Sequence, residues 1–416
     1  MTERRRWLAP LIAVIALVAC TRPPRAQDPY AKAVADAVPI IVKATGLRFK
    51  RPPEYRVRTR EEMHAFLDRL FNEEKSARDI AAQQTLLRRL GVIPDTLDLR
   101  KLMLDLYTEQ VAGLYDPHSK VLYIVRGTDE TTMDFTVQHE LVHALQDQYL
   151  NLDSVENIKG DDDRGLAAAA VIEGQATLVP LQAILGLGAE LPGGWDRMRD
   201  LIRENQASMP VMARTPEFFQ EILIFPYVSG AEFMRRFQQQ RPGRMPYGDD
   251  LPQSTAQVMH QSQYFGTPRE MPVTIALPAP RGGTLEYDNV MGEFQTRVLL
   301  YSMLHDQNEA VRSAQGWVGD RYAIVRTPQG EGIAWLTVFE TTVDAGELAH
   351  SMETLASKRY PGATGRRSGT TTTFTGAGRT VTVWGGEVGG RAAVLYVDVP
   401  PGARTDIFDL SKVRLN

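Results

Sequence analysis

A chain of 416 residues with 43% apolar and 24% charged side chains is too long for one ordinary core and apolar enough to fill two, which excludes a disordered protein. The formal net charge of -4 at pH 7 leaves no basic excess of the kind a nucleic-acid surface requires, so no nucleic-acid partner is expected. Function must be read from a site.

Arg4, Arg5 and Arg6 form a basic start, and the apolar run from Trp7 to Ala19 is too short for a permanent transmembrane helix but suits a secretion signal. The run ends in Leu17-Val18-Ala19-Cys20, which resembles the lipoprotein cleavage box of bacteria, in which the cysteine thiol is acylated. Cys20 is the only cysteine, so an internal disulfide is impossible and acylation accounts for the thiol that remains. The expectation is a signal peptide over 1-19 and a tether over 20-30. The exported lipoprotein would be held at the periplasmic face of an outer membrane or the outer face of a cytoplasmic membrane, and Thr21 after the cysteine favours the former.

Helical spacing is present over Ala31 to Thr45, Arg60 to Phe71 and Ser76 to Leu90, with a strand from Leu47 to Val57 interrupted by Pro52-Pro53. Gly91-Val92-Ile93-Pro94 is a stop, after which Asp98 caps a helix reaching about Glu109. Val111 to Tyr115 and Val121 to Val125 flank Asp116-Pro117-His118-Ser119 as a hairpin. Thr131 and Asp134 read as a capping pair for a helix running to Leu150, followed by a polar loop and a helix from Gly165 to about Leu185. Helices are also expected over Glu217 to Gln238 and Glu293 to His305. Past residue 306, strands at Tyr322 to Arg326, Ile333 to Phe339, Thr371 to Thr375, Thr380 to Trp384 and Ala392 to Val397 surround a helix from Val343 to Lys358. The class is therefore α+β: a mostly helical domain over 31-305 with a small sheet and hairpin, and a smaller α+β domain over 306-416.

The chemistry lies in His139-Glu140-Leu141-Val142-His143. Residues four apart share a helix face, so both imidazoles can meet one metal ion while Glu140 reaches a water bound to it. Metzincins need a glycine three and a histidine six residues after the second histidine; Gln146 and Tyr149 stand there, which excludes that class. Glu173 is a carboxylate flanked by Ala169, Ala170, Val171 and Ile172, and a carboxylate in apolar surroundings needs a neutralising partner. Asp147, Asp153, Asp161, Asp162 and Asp163 compete as third ligand, but they belong to a polar loop or its border.

The HExxH pentad, the later Glu173-Gly174-Gln175-Ala176 and Phe225-Pro226-Tyr227-Val228-Ser229-Gly230 together resemble the gluzincin metallopeptidases. The hairpin and the helix His139-Glu140-Leu141-Val142-His143-Ala144-Leu145-Gln146-Asp147-Gln148 resemble uncharacterised bacterial envelope proteins; the resemblance covers about residues 45 to 305. It implies a zincin-like fold, one Zn²⁺ on His139, His143 and Glu173, Glu140 as general base, and Tyr227 stabilising the oxyanion, with His260 the second candidate for that role. A carboxylate such as Asp163 or Asp147 would orient an imidazole. Val121 to Val125 is read either as the strand that aligns an extended peptide substrate or, equally well, as an interior strand. The expected function is hydrolysis of peptide bonds in the cell envelope. The alternative is a non-catalytic zinc-binding lipoprotein acting as a scaffold, against which the presence of a base at Glu140 argues. Oligomeric state is not encoded in any motif.

Overall fold

The computed structural model describes residues 29-128, 130-156, 158-186, 194-207 and 209-416. Cys20, the signal peptide and most of the tether lie outside the described residues. The chain is α+β, as expected from its patterning.

The first half contains α1 (Pro29–Thr45), β1 (Glu54–Arg58), α2 (Arg60–Phe71), α3 (Glu74–Leu90), α4 (Leu99–Gln110), β2 (Gly113–Asp116), β3 (Val121–Val125) and α5 (Glu130–Gln146). It continues through α6 (Leu152–Glu156), α7 (Asp162–Leu185), α8 (Gly194–Ala207), α9 (Pro210–Arg214), α10 (Glu217–Gln240), α11 (Thr255–Met259) and α12 (Gln261–Phe265). α5 starts at Glu130, so Thr131 lies inside its first turn and cannot be its cap, and the helix stops at Gln146 rather than Leu150. The strand expected from Leu47 shrinks to β1. Pro52 and Pro53 cannot donate to a ladder, and the amides of Lys50 and Arg51 both donate to the Gln148 side chain at 2.6 and 3.0 Å instead.

β1, β3 and β2 form a three-stranded sheet in that order, with β1 parallel and β2 antiparallel to β3. β3 is therefore the central strand, buried along its whole length. Its two edges are already paired, so Val121 to Val125 cannot align a peptide; β2 is the edge strand beside α5. α5 buries Val137, Leu141 and Leu145 against α1, Leu122 and Ile124 of β3, and Ile172 and Val179 of α7.

α7 is long and apolar enough by composition to cross a membrane, yet most of its apolar stretch is buried in the protein. Its closest neighbour is α10. A Cβ on Gly174 would stand 2.2 Å from the carbonyl carbon of Gly230, and one on Gly230 would stand 2.0 Å from the Ala170 oxygen, so the two backbones touch. This contact fixes Glu173, one residue before Gly174, relative to Tyr227, one turn before Gly230. Gly230→Ala must push the helices apart, and we expect a loss of about 3 kcal/mol at the upper end of ordinary overpacking, read from the urea midpoint. An unchanged midpoint would show that the helices yield freely there.

The remainder comprises β4 (Ile275–Ala276), β5 (Thr284–Asn289), α13 (Gly292–Leu304), α14 (Gln307–Ala314), β6 (Trp317–Thr327), β7 (Gly330–Phe339), α15 (Thr342–Arg359), β8 (Arg366–Ser368), β9 (Thr371–Gly376), β10 (Arg379–Val388), β11 (Arg391–Val399) and β12 (Arg414–Leu415). Seven strands pair antiparallel in the order β5-β6-β7-β11-β10-β9-β8. One face of this sheet shares a core with α15, α13 and α3, including Trp335, Tyr396, Leu355, Leu299 and Leu87. The seam expected at residue 306 therefore falls within a continuous hydrophobic core, and the sheet already begins at Thr284.

Candidate metal centre

α5 presents His139 and His143 one turn apart, their rings edge to face with centroids 4.8 Å apart. α7 brings Glu173 to the same point. Nε2 of His139 lies 3.0 Å from Glu173 Oε2 and 3.2 Å from Nε2 of His143, which is itself 3.4 Å from that carboxylate oxygen. The three residues form a group able to hold a metal ion. Ligands about 2.0–2.1 Å from a tetrahedral ion are about 3.3 Å from one another, so these spacings match a cation at their centre, and two nitrogens with one carboxylate oxygen suit zinc.

The tautomer of His143 follows from its neighbour. The amide nitrogen of Gln146 donates to the carbonyl of Ile172 at 3.0 Å and to Gln175 at 2.9 Å, so its oxygen faces His143 and accepts from Nδ1–H at 2.9 Å. Nε2 of the neutral ring is then left with a lone pair aimed at the other two ligands. Neither expected carboxylate does this. Asp147 accepts from the Tyr115 hydroxyl and pairs with Lys120, and Asp163 is buried against Thr255. Asp163 also excludes any side chain at Gly292, whose φ of +79° already favours glycine. Gln146→Ala is expected to weaken metal binding 10–100-fold, typical of a lost outer partner, without removing the site. Competition against a chromophoric chelator measures this, and an unchanged affinity would leave Gln146 with a packing role alone.

Charge in the metal-free cluster is shared as the geometry requires. Burial opposes a charge on His143, but the neighbouring Glu173 carboxylate outweighs it and pushes the imidazole up to about 10. Burial would likewise raise Glu173, yet the charge and hydrogen bonds of the two histidines hold it well below the usual carboxylate range. Such mutual dependence marks a site where one divalent cation can replace protons.

Glu140 is largely buried, and its Oε2 accepts the backbone N–H of Tyr115 on β2 at 2.7 Å. The Tyr115 hydroxyl also reaches Asp147 at 2.7 Å, so one residue of the edge strand grips α5 at two points and fixes Glu140. Tyr227 stacks its ring on His139 at 5.9 Å. The charge of Glu173, then burial, pushes its hydroxyl well above the ordinary tyrosine value, so the phenol, already protonated at neutral pH, resists ionisation in alkali as well.

His260 is elsewhere. Its Nε2 pairs with Glu293 at 2.7 Å, and it borders a cavity on the other side of α10 from Tyr227, so it does not share the metal site. Two aromatic neighbours had not been singled out from the sequence: Phe135, stacked on His139 at 6.4 Å, and Tyr107 of α4, whose hydroxyl is pushed up by burial and by the charge of Glu173. The spacing of Phe135 four residues before His139 was a usable signal; Tyr107 carried none. Tyr107, Phe135 and Tyr227 are 40%, 36% and 38% exposed, so an apolar rim around the cluster is open to a bound molecule.

Residues 283-398 match a domain of unknown function (DUF8575), a segment that contains β5 to β10 and most of β11 but no member of the metal cluster. A solved structure from Chloroflexus aurantiacus, described as a candidate hydrolase with a novel fold, is 19% identical, with a TM-score of 0.35 over 58% of this chain and 90% of that one. No curated protein matches the chain.

Proposed function

We propose that the chain is a zinc metallopeptidase of the gluzincin type, cleaving peptide bonds in the bacterial cell envelope and anchored to a membrane by a lipid on Cys20. One observation carries the reading: two imidazole nitrogens and the Glu173 carboxylate converge at mutual spacings of 3.0, 3.2 and 3.4 Å, with Glu140 next along the helix from His139. His139, His143 and Glu173 would hold the ion, which supplies a Lewis acid for the scissile carbonyl and lowers the pKa of a bound water toward neutrality. Glu140 takes the proton of the attacking water on its carboxylate and passes it to the leaving amine. The Tyr227 hydroxyl, protonated at neutral pH, donates to the oxygen on which negative charge develops. An extended substrate would lie near β2, the outer strand next to Glu140.

The reading is tested by metal removal. Purified full-length chain is expected to cleave a mixed peptide library, to lose that activity on dialysis against a chelator, and to regain it with one equivalent of zinc. A chain that binds zinc but cleaves no peptide would instead be the scaffold lipoprotein.

A further inference from the structure

A cavity of about 610 Å³ lies between α8, α10, α13 and α14. On α10 it is lined by Glu221, Ile224, Phe225, Glu232, Phe233 and Arg236, which recur at helical spacing along one stripe. Tyr227 points from the opposite side of the same helix, so this cavity and the metal cluster are separate sites. Its volume is in the range of small-molecule pockets.

The floor is apolar. Phe294, stacked at 4.0 Å on the buried Phe225, is partly open to the space, as are Met259 and Tyr301. The walls are charged but balanced, with four arginines against four carboxylates, so a polyanion has no net attraction to them. Arg199 pairs with Asp196 at 2.9 Å, Arg203 with Glu221, and Arg236 with Glu232. His260 occupies Glu293 at 2.7 Å. That leaves Arg297, one turn along α13 from Glu293. It makes no hydrogen bond or ion pair among the described residues; burial pulls its pKa below the ordinary arginine value, and the more distant charges of Glu293 and Glu221 offset this only in part. A partly desolvated guanidinium is costly without an acceptor, and its planar fork is matched by a single carboxylate.

We propose that this cavity binds a small amphipathic monocarboxylate, with the carboxylate on Arg297 and the apolar body against Phe294, Met259 and Tyr301. The site is independent of the peptidase reading, since no residue of the metal cluster lines it.

The test is calorimetric titration of the full chain with decanoate, decanol and acetate. Decanoate is expected to bind saturably, and decanol and acetate at least about tenfold more weakly, because each lacks one half of the recognition. Arg297→Gln should weaken decanoate about tenfold or more; Arg297→Lys, which keeps the charge but loses the fork, should weaken it less and serves if the first variant fails to fold. Glu173→Ala should bind decanoate like wild type. No saturable decanoate binding, decanol binding as tightly as decanoate, or undiminished binding by either Arg297 variant would overturn the assignment.

Discussion

Replacing Glu140 with glutamine is expected to lower the turnover of peptide hydrolysis by about 10³-fold, within the 10²–10⁴ range of general acid–base catalysis, while zinc content stays at one ion per chain. The substitution keeps shape and volume. The amide oxygen can still accept the Tyr115 N–H that holds the side chain at 2.7 Å, so the edge strand and α5 keep their relation. What disappears is the ability to take up a proton. His139, His143 and Glu173 are untouched, so metal binding provides the internal control that the site remains assembled. A Glu140→Gln variant within tenfold of wild-type turnover would remove Glu140 from the proton transfer.

Glu173→Ala is expected to have the largest effect on metal affinity, a loss beyond the 10–100-fold associated with an outer partner such as Gln146. Among the described residues, Glu173 contributes the one oxygen of the cluster, and its carboxylate lies within 3.4 Å of both imidazoles. Without it the ion would have two neutral nitrogens from the protein. In the same variant the metal-free His143 loses the charge that holds it up at about 10, and its pKa should fall. Competition titration reads the first effect and the histidine ring resonances read the second. Equal zinc affinity in both proteins would place the third ligand elsewhere.

The parts legible in the sequence are those where one element carries its own signal. α2 and β3 have the expected bounds, β9 and β10 follow from alternation, and β7 and β11 from short apolar runs bounded by turns. Glu173 was legible because a carboxylate among alanines and valines needs a partner. The misses involve surfaces from distant parts of the chain. β5, with the sequence Thr-Leu-Glu-Tyr-Asp-Asn and an exposed first half, looks like a loop until β6 pairs with it. α8 is strongly polar and is set by its packing beside α10, not by an apolar run of its own. For β3 an edge and an interior position were both open: its unbroken apolar run Val-Leu-Tyr-Ile-Val fits a strand buried on both faces, but the partner β1 comes from more than sixty residues earlier.

The orienting partner of His143 shows the same limit. Asp147 and Asp163 attracted notice as charged groups, but each has another partner, while the neutral Gln146 stood out only for occupying a position where metzincins carry glycine. Its role depends on Ile172 and Gln175, brought by α7 from more than twenty residues away. The close approach of Gly174 and Gly230, which sets Tyr227 against the cluster, is likewise a property of two helices together.

The central claim is that zinc is held by two imidazoles and one carboxylate. X-ray absorption at the zinc edge of the loaded wild-type chain tests it directly. Nitrogen and oxygen neighbours are expected at about 2.0–2.1 Å with the multiple-scattering pattern of two imidazoles. A zinc ion without imidazole scattering, or a chain that retains no zinc at all, would contradict it.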